Sequence, residues 1–234
     1  MVHPVTGTPL TRENYVQAVR DFNVDLPQLV QNVARAMALA LLASRERRQR
    51  AGNPVLIGGD GCMQAVGGQP MNGAQIMHEI WTKVVPRELL AGLSDPQVQD
   101  VSTCTLEEVR LLLRRVSGPS DTMTAVTHEY HAPRVAKVFG REVARSKFPD
   151  MEQPRVMTPE DIVAQMSQSD DLEPEEQFAA DVVRAATPSA EFSNRERRNE
   201  RLIYAPLSAV STIGEILTVG RFSLELWLAE RMRK

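Results

Sequence analysis

The densest chemistry in the chain lies in Thr122-Met-Thr-Ala-Val-Thr-His-Glu-Tyr-His-Ala-Pro-Arg134, which gathers Thr127, His128, His131 and Arg134 in one short run. His128-Glu-Tyr-His131 has the composition of a zinc-protease motif but not its spacing. His-Glu-x-x-His sets two imidazoles one helical turn apart, whereas here a residue is missing and the run falls at a strand–helix junction, so no metal is expected. His131 suits proton transfer instead, because imidazole titrates near neutral pH. Pro133 fits the first helical position and puts Arg134 in the first turn, where a cation opposes the helix dipole. An anion bound at the helix start would offset the mismatch, gripped by Arg134 through two parallel hydrogen bonds. The run therefore reads as an anion-binding junction with His131 and Arg134 as its functional pair.

A second cluster is Gly58-Gly59-Asp60-Gly61, directly after Pro54-Val-Leu-Ile57. Exposed backbone N–H groups in such a turn can cradle a phosphate or carboxylate, and Asp60 could contact a ligand hydroxyl or amine; equally, glycines after a strand simply form turns. Neither a dinucleotide fingerprint nor a P-loop lysine follows. Thr105 and Glu108 stand at capping-box spacing, which explains both structurally. Cys62 and Cys104 read as small buried hydrophobes, and no Gly-x-Ser-x-Gly elbow is present.

The elements that must position these residues follow from periodicity. Thr11–Asn23 reads as a short helix. Asp25 is expected to cap a second helix with Pro27 in its first turn, its apolar face formed by Leu29, Val33, Met37 and Leu41 with Val30, Ala34 and Ala38 beside them. Arg45-Glu-Arg-Arg-Gln-Arg50 is a dipole-matched helix end. A short buried strand ends at Ile57, Gly67-Gly-Gln-Pro70 extends the loop after it, and Asn72 caps a helix to about Lys83. Val98–Val101 is a candidate strand, Thr105 opens a helix through Val116, and Ser117-Gly-Pro-Ser-Asp121 turns into the strand before His128. A helix follows to about Ser146, then a short strand in Pro154–Pro159 and a helix capped by Thr158. Ser169-Asp-Asp-Leu-Glu-Pro-Glu-Glu176 is an acidic hinge, Phe178, Val182 and Val183 share a helix face, and Asn194–Arg201 reads as an exposed, mixed-charge helix face. The alternation from 25 to 166 predicts an α/β fold with an open, mostly parallel sheet flanked by helices. An N-terminal arm with a short helix (1–24) precedes it, and a helical C-terminal extension (167–234) packs on it.

Three segments in order, Val55-Leu-Ile-Gly-Gly59, Ser102-Thr-Cys-Thr-Leu-Glu-Glu108 and Val126-Thr-His-Glu-Tyr-His-Ala-Pro-Arg134, resemble the ElyC/SanA/YdcF family. That family's pattern is a strand ending in Ser-Gly-Gly, a Ser-x-x-Thr-x-x-Asn helix start and Val-Thr-Ser-x-x-His-x-x-Arg. Gly58, Gly59, Ser102, Thr105, Thr127, His131 and Arg134 match. Ile57 and His128 replace the family's serines, Glu108 replaces its asparagine, and no first strand is evident before Asp25. The resemblance implies a Rossmann-like α/β fold with a polar pocket at the strand ends. His131 and Glu108 would be catalytic there, with Gly58, Gly59, Asp60, Gly61, Ser102, Thr105, Thr127, His128 and Arg134 around the ligand. It also implies a link to envelope polysaccharide metabolism or to S-adenosylmethionine as a bound cofactor.

Composition narrows the class. The chain has 234 residues, of which 42% are hydrophobic and 24% charged, the balance of an ordinary globular protein. A net charge of −3 gives no case for general nucleic-acid affinity. Two cysteines favour a reducing compartment, and with no secretory signal and no continuous apolar span the expectation is a cytoplasmic protein without a membrane span. Three functions stay in view. One is an enzyme, a transferase or hydrolase, acting on a small anionic or nucleotide-like metabolite within a biosynthetic pathway. The second is a non-catalytic protein binding S-adenosylmethionine or a nucleotide. The third is an interaction protein that forms a homo-oligomer through its C-terminal helices.

Overall fold

The computed structural model describes residues 11–49, 54–58, 64–66, 69–99, 105–168 and 172–204. Gly59, Asp60, Gly61, Cys62, Ser102, Cys104, the residues before Thr11 and the predicted apolar C-terminal helices from Leu207 lie outside them.

Helices dominate what is described. α1 (Arg12–Asp25) and α2 (Pro27–Gln49) meet at Leu26, so Asp25 closes the first helix instead of capping the second, and Pro27 is the first residue of α2. Thr11 caps α1 through Asn14 N, as its position predicts. α2 spans about 35 Å at 1.5 Å per residue. Val30, Val33, Ala34, Met37, Ala38 and Leu41 are buried on its expected face, but Ala36 and Ala40 are buried too, both at 0% exposure. A helix buried nearly all round is a core element, and its alanines let neighbours approach closely. α2 packs against α1, α3 (Gly73–Lys83), α7 (Pro159–Ser167) and α8 (Pro174–Ala185), and these helices supply most of the main core.

The strands are six three-residue pieces in three separate ladders. β1 (Leu56–Gly58) pairs in parallel with β4 (Gln97–Gln99). β2 (Gln64–Val66) and β3 (Gln69–Met71) are antiparallel. β5 (Thr124–Val126) pairs in parallel with β6 (Arg155–Met157). The expected open, mostly parallel Rossmann-like sheet is therefore wrong. The segments read as strands do form, but each is too short to bury a continuous apolar face. Ile57 and Met157 are the only strand side chains in the buried apolar core among the described residues. The volume such a sheet would fill is taken by α2 and the helices around it. Gln69-Pro70-Met71, expected as loop, is the edge partner of β2, a position where a proline without an N–H is tolerated.

Local signals were more reliable than the architecture. Asn72 and Gln75 cap α3 reciprocally, and Thr158 and Asp161 do the same for α7. α4 (Arg87–Leu90) is a single turn before β4. α5 (Thr105–Leu113) and α6 (Ala132–Val143) form a second core, Leu106 and Val109 meeting Val135, Val138 and Phe139 at i, i+3, i+4 spacing. α9 (Ala190–Asn199), capped by Ser189, runs into a π-helical segment, Glu200–Tyr204. No helix among the described residues is long and apolar enough to cross a membrane.

Candidate functional site

The α5–α6 packing sets the site. Arg110 Nε donates to Glu142 Oε2 at 2.7 Å, a partly buried ion pair that fixes the two helices beyond their apolar contact. Their N-terminal ends then lie together, with Thr105 at the first position of α5 and His131 at the N-cap of α6. The His131 side chain makes no capping bond to its own helix, because the N–H groups of His131 and Ala132 turn back to the His128 carbonyl at 2.9 Å. Its imidazole is left to face other side chains. Pro133 is the second helical residue, one place later than predicted, and Arg134 follows in the same turn.

Three groups meet the imidazole. Thr105 Oγ1 is 3.5 Å from Nε2, Glu200 Oε1 is 2.7 Å from Nδ1, and Arg134 Nη2 is 3.2 Å from Nδ1. Arg134 Nε lies 3.0 Å from Glu200 Oε2, an ion pair in which the N–H is not aligned as a hydrogen bond. With Nδ1–H donating to the Glu200 carboxylate, Nε2 would keep its lone pair toward the Thr105 hydroxyl. The order is hydroxyl, imidazole, carboxylate. Burial holds the His131 pKa below the ordinary imidazole value; the Glu200 hydrogen bond pulls it up, and the Arg134 guanidinium pushes it down again.

Glu200 answers the question raised by Arg134. A cation in a helix's first turn needs a negative partner, and the chain supplies one from the start of its π-helical segment. The expected external anion is therefore not required to explain Arg134. Sequence reading missed Glu200 by treating Asn194–Arg201 as uniformly exposed. A signal was present: Phe192, Glu196 and Glu200 recur every fourth residue and face inward, Phe192 and Glu200 buried and Glu196 half-buried, while Arg195, Arg197, Arg198 and Arg201 face out. Arg197, Arg198 and Arg201, with Asn194 and Leu202, line an open groove of about 400 Å³.

The other predicted residues divide into two groups. Glu108, one turn after Thr105, lays its carboxylate on Gly58 at the end of β1, and Gln99 Nε2 donates to the Glu108 carbonyl at 3.4 Å. This joins Gly58, Glu108 and Thr105 along one face of α5. Thr127 is buried, its N–H extending the β5–β6 ladder to the Met157 carbonyl at 3.0 Å. His128 is buried and stacked on Tyr130, with ring centroids 5.3 Å apart, and its Nδ1 has no hydrogen-bond partner. Burial above all, then Arg35 of α2 and His131, holds its pKa well below the usual range. Among the described residues no group of three His, Cys, Asp or Glu is placed to hold a metal ion.

No protein-family model, curated protein or solved structure matches the chain. The resemblance to the ElyC/SanA/YdcF family is thus overturned twice, by the absence of a family match and by a fold without that family's sheet. The Rossmann-like description and the S-adenosylmethionine, nucleotide and envelope-polysaccharide expectations rested on it and fall with it. The expected enzyme for a small anionic metabolite falls for a further reason. Its pocket was to lie at the carboxyl end of a continuous parallel sheet, which the described residues do not form, and its anion-gripping arginine is matched by Glu200.

Proposed function

We propose that the protein is an acyl-transfer enzyme, most simply a hydrolase of uncharged esters, with Thr105 as nucleophile, His131 as general base and Glu200 as the carboxylate that orients the imidazole. The observation that carries this reading is the placement of a hydroxyl and a carboxylate on the two different nitrogens of one imidazole. That is the arrangement by which a weak hydroxyl nucleophile is activated. In the first step Thr105 Oγ1 would bond to the substrate carbonyl carbon and pass its proton to His131 Nε2. The tetrahedral adduct would collapse, the leaving alcohol taking that proton, and water would release the acyl group by the reverse path. A distance of 3.5 Å between hydroxyl and imidazole is long for a working bond, as is common in sites without substrate. The first turn of α5, which Thr105 opens, has N–H groups beyond the reach of intrahelical acceptors. Glu108 and Gly58 would border the acyl group. The His131 side chain is 21% exposed.

The test is turnover of p-nitrophenyl acetate with mass-spectrometric trapping of an acylated Thr105 peptide. The wild type and Thr105→Ser are expected to turn over, and Thr105→Val and His131→Ala to lose about 10²-fold or more. Equal rates for wild type and Thr105→Val would sink the reading.

A second reading is favoured by one further observation. Arg197 pairs with Glu129, and the Phe192 ring meets Tyr130 edge-on at 6.2 Å, so the same turn that holds Glu200 is gripped twice more. On that reading the cluster is a structural fastener for α9. It predicts a lower melting temperature for Glu200→Ala with no acyl turnover in any variant. Self-association through the C-terminal region, with the division into 1–24, 25–166 and 167–234, is a separate proposal. Light scattering of the full chain over a range of concentrations tests it, a monomeric mass throughout counting against.

A further inference from the structure

Nδ1 of His131 faces two groups that it cannot satisfy together. Glu200 Oε1 stands 2.7 Å away and Arg134 Nη2 3.2 Å away. An imidazole nitrogen carries either a proton or a lone pair. With the proton, Nδ1 donates to Glu200 and confronts the N–H of the guanidinium; without it, Nδ1 accepts from Arg134 and confronts a carboxylate oxygen. The second nitrogen follows the first. When Nδ1 is protonated, Nε2 offers a lone pair to Thr105, and when Nδ1 is bare, Nε2 carries the proton and can only donate.

We infer that Glu200 and Arg134 compete for Nδ1 of His131, so that seating of the α9–π-helical segment decides whether the imidazole faces Thr105 as a base or as a donor. Seated, Glu200 holds the proton on Nδ1 and the base is armed. Withdrawn, it leaves Nδ1 to Arg134, and Nε2 turns its proton toward the hydroxyl. This regulation rests on the reading of Thr105, His131 and Glu200 as the working site.

Two observations support it. The shorter approach belongs to Glu200, which sets the resting tautomer. The segment that carries Glu200 is also lightly attached: its ion pairs, hydrogen bonds and ring contacts to the rest of the described chain all fall on Glu129–Arg134. The main core contains no residue of α9. The segment can therefore lift without opening that core. Four charged or titratable groups face the imidazole: Glu200 from the π-helical segment, Arg134 from α6, Arg35 from α2 and His128 from the preceding turn. Burial and the neighbouring cations Arg35 and Arg134 disfavour the imidazolium, so the two states differ in tautomer and not in charge.

The test is nitrogen NMR of the full chain labelled with ¹⁵N-histidine at neutral pH, where imidazole shifts separate a protonated from a bare nitrogen, with His131→Gln giving the assignment. The wild type should show His131 protonated at Nδ1, and Glu200→Ala should move the proton to Nε2. A wild type protonated at Nε2, or a Glu200→Ala chain that keeps Nδ1–H, overturns the inference. Phe192→Ala with Arg197→Ala keeps Glu200 and loosens its segment, so it should raise the Nε2–H fraction even where Glu200→Ala fails to fold; an unchanged fraction counts against. Arg134→Gln should keep Nδ1–H while raising the His131 titration midpoint, and an unmoved midpoint removes Arg134 from the scheme. No substrate enters these measurements. A tautomer change without acyl turnover would sink the hydrolase reading alone, and turnover with an unmoved tautomer would sink this inference alone.

Discussion

The carboxylate of Glu108 occupies the space where a side chain at Gly58 would begin. A methyl added there would stand 1.9 Å from Oε1 and 2.9 Å from Cδ, so the two positions are sterically coupled across the β1–α5 contact. Gly58→Ala is expected to cost about 1–2 kcal/mol by forcing Glu108 out of its rotamer. Glu108→Ala in the same chain should recover most of that loss. Urea unfolding of the two single variants and the double variant measures the coupling, and strictly additive losses would show that the contact is not maintained in solution.

Acid should weaken the fold through His128 and His131. Both are held below the unfolded value of 6.5. Between the folded and unfolded pKa values the unfolded chain binds a proton that the folded chain refuses, so stability is fully present above the unfolded value and falls as pH drops below it. The slope is about 1.4 kcal/mol per pH unit for each histidine until its folded pKa is reached. Melting temperatures compared at about pH 7.5 and about pH 5.5 should show the drop, and replacing both histidines with glutamine should flatten that interval.

The fasteners of α9 should differ widely in strength. Arg197 and Glu129 are both about half exposed, and such pairs contribute at most about 1 kcal/mol. Glu200 and Arg134 are far less exposed, with side-chain accessibilities of 11% and 16%. Glu200→Ala leaves a guanidinium facing an imidazole and is expected to cost on the order of 3 kcal/mol, against less than about 1 kcal/mol for Arg197→Ala. Thermal unfolding of the two variants ranks them, and equal losses would contradict the assignment.

The helical core makes a plain contrast. Leu41 in α2 has 0% exposure and Leu26, between α1 and α2, has 46%. Leu41→Ala should lose about 2–5 kcal/mol through the cavity it leaves among α2 and its neighbours, whereas Leu26→Ala should stay within about 0.5 kcal/mol of wild type. Denaturant midpoints check both.

Local signals in the sequence led to correct elements because each is a short-range physical matter. Asn72 before Gln75, Thr158 before Asp161 and the α2 stripe act within one helix, and the structure contains all three. The architecture was not legible because it depends on whether short apolar runs can gather into one sheet. Val55–Ile57 and the stretch before His128 look the same in sequence whether they join a wide sheet or a two-strand ladder. The almost wholly apolar run Ala34–Ala43 was the clue that α2 would be buried nearly all round, as the 0% exposure of Ala36 and Ala40 shows. At the site, Thr105 and Arg134 each reach His131, but Glu200, which meets the same imidazole, sits 69 residues beyond it. No spacing rule reaches that far; only the inward stripe Phe192–Glu196–Glu200 hinted at it.

The attachment of α9 has an evolutionary consequence. Because the main core is complete without that helix, substitutions along it can be sampled with little risk to the remainder of the molecule. Glu200 thus lies at the end of an element outside that core, and the cost of replacing it falls on its own pairing with Arg134 and His131. A lineage could exchange Glu200 for another partner of His131, and so retune or silence the site, while inheriting the helical framework unchanged.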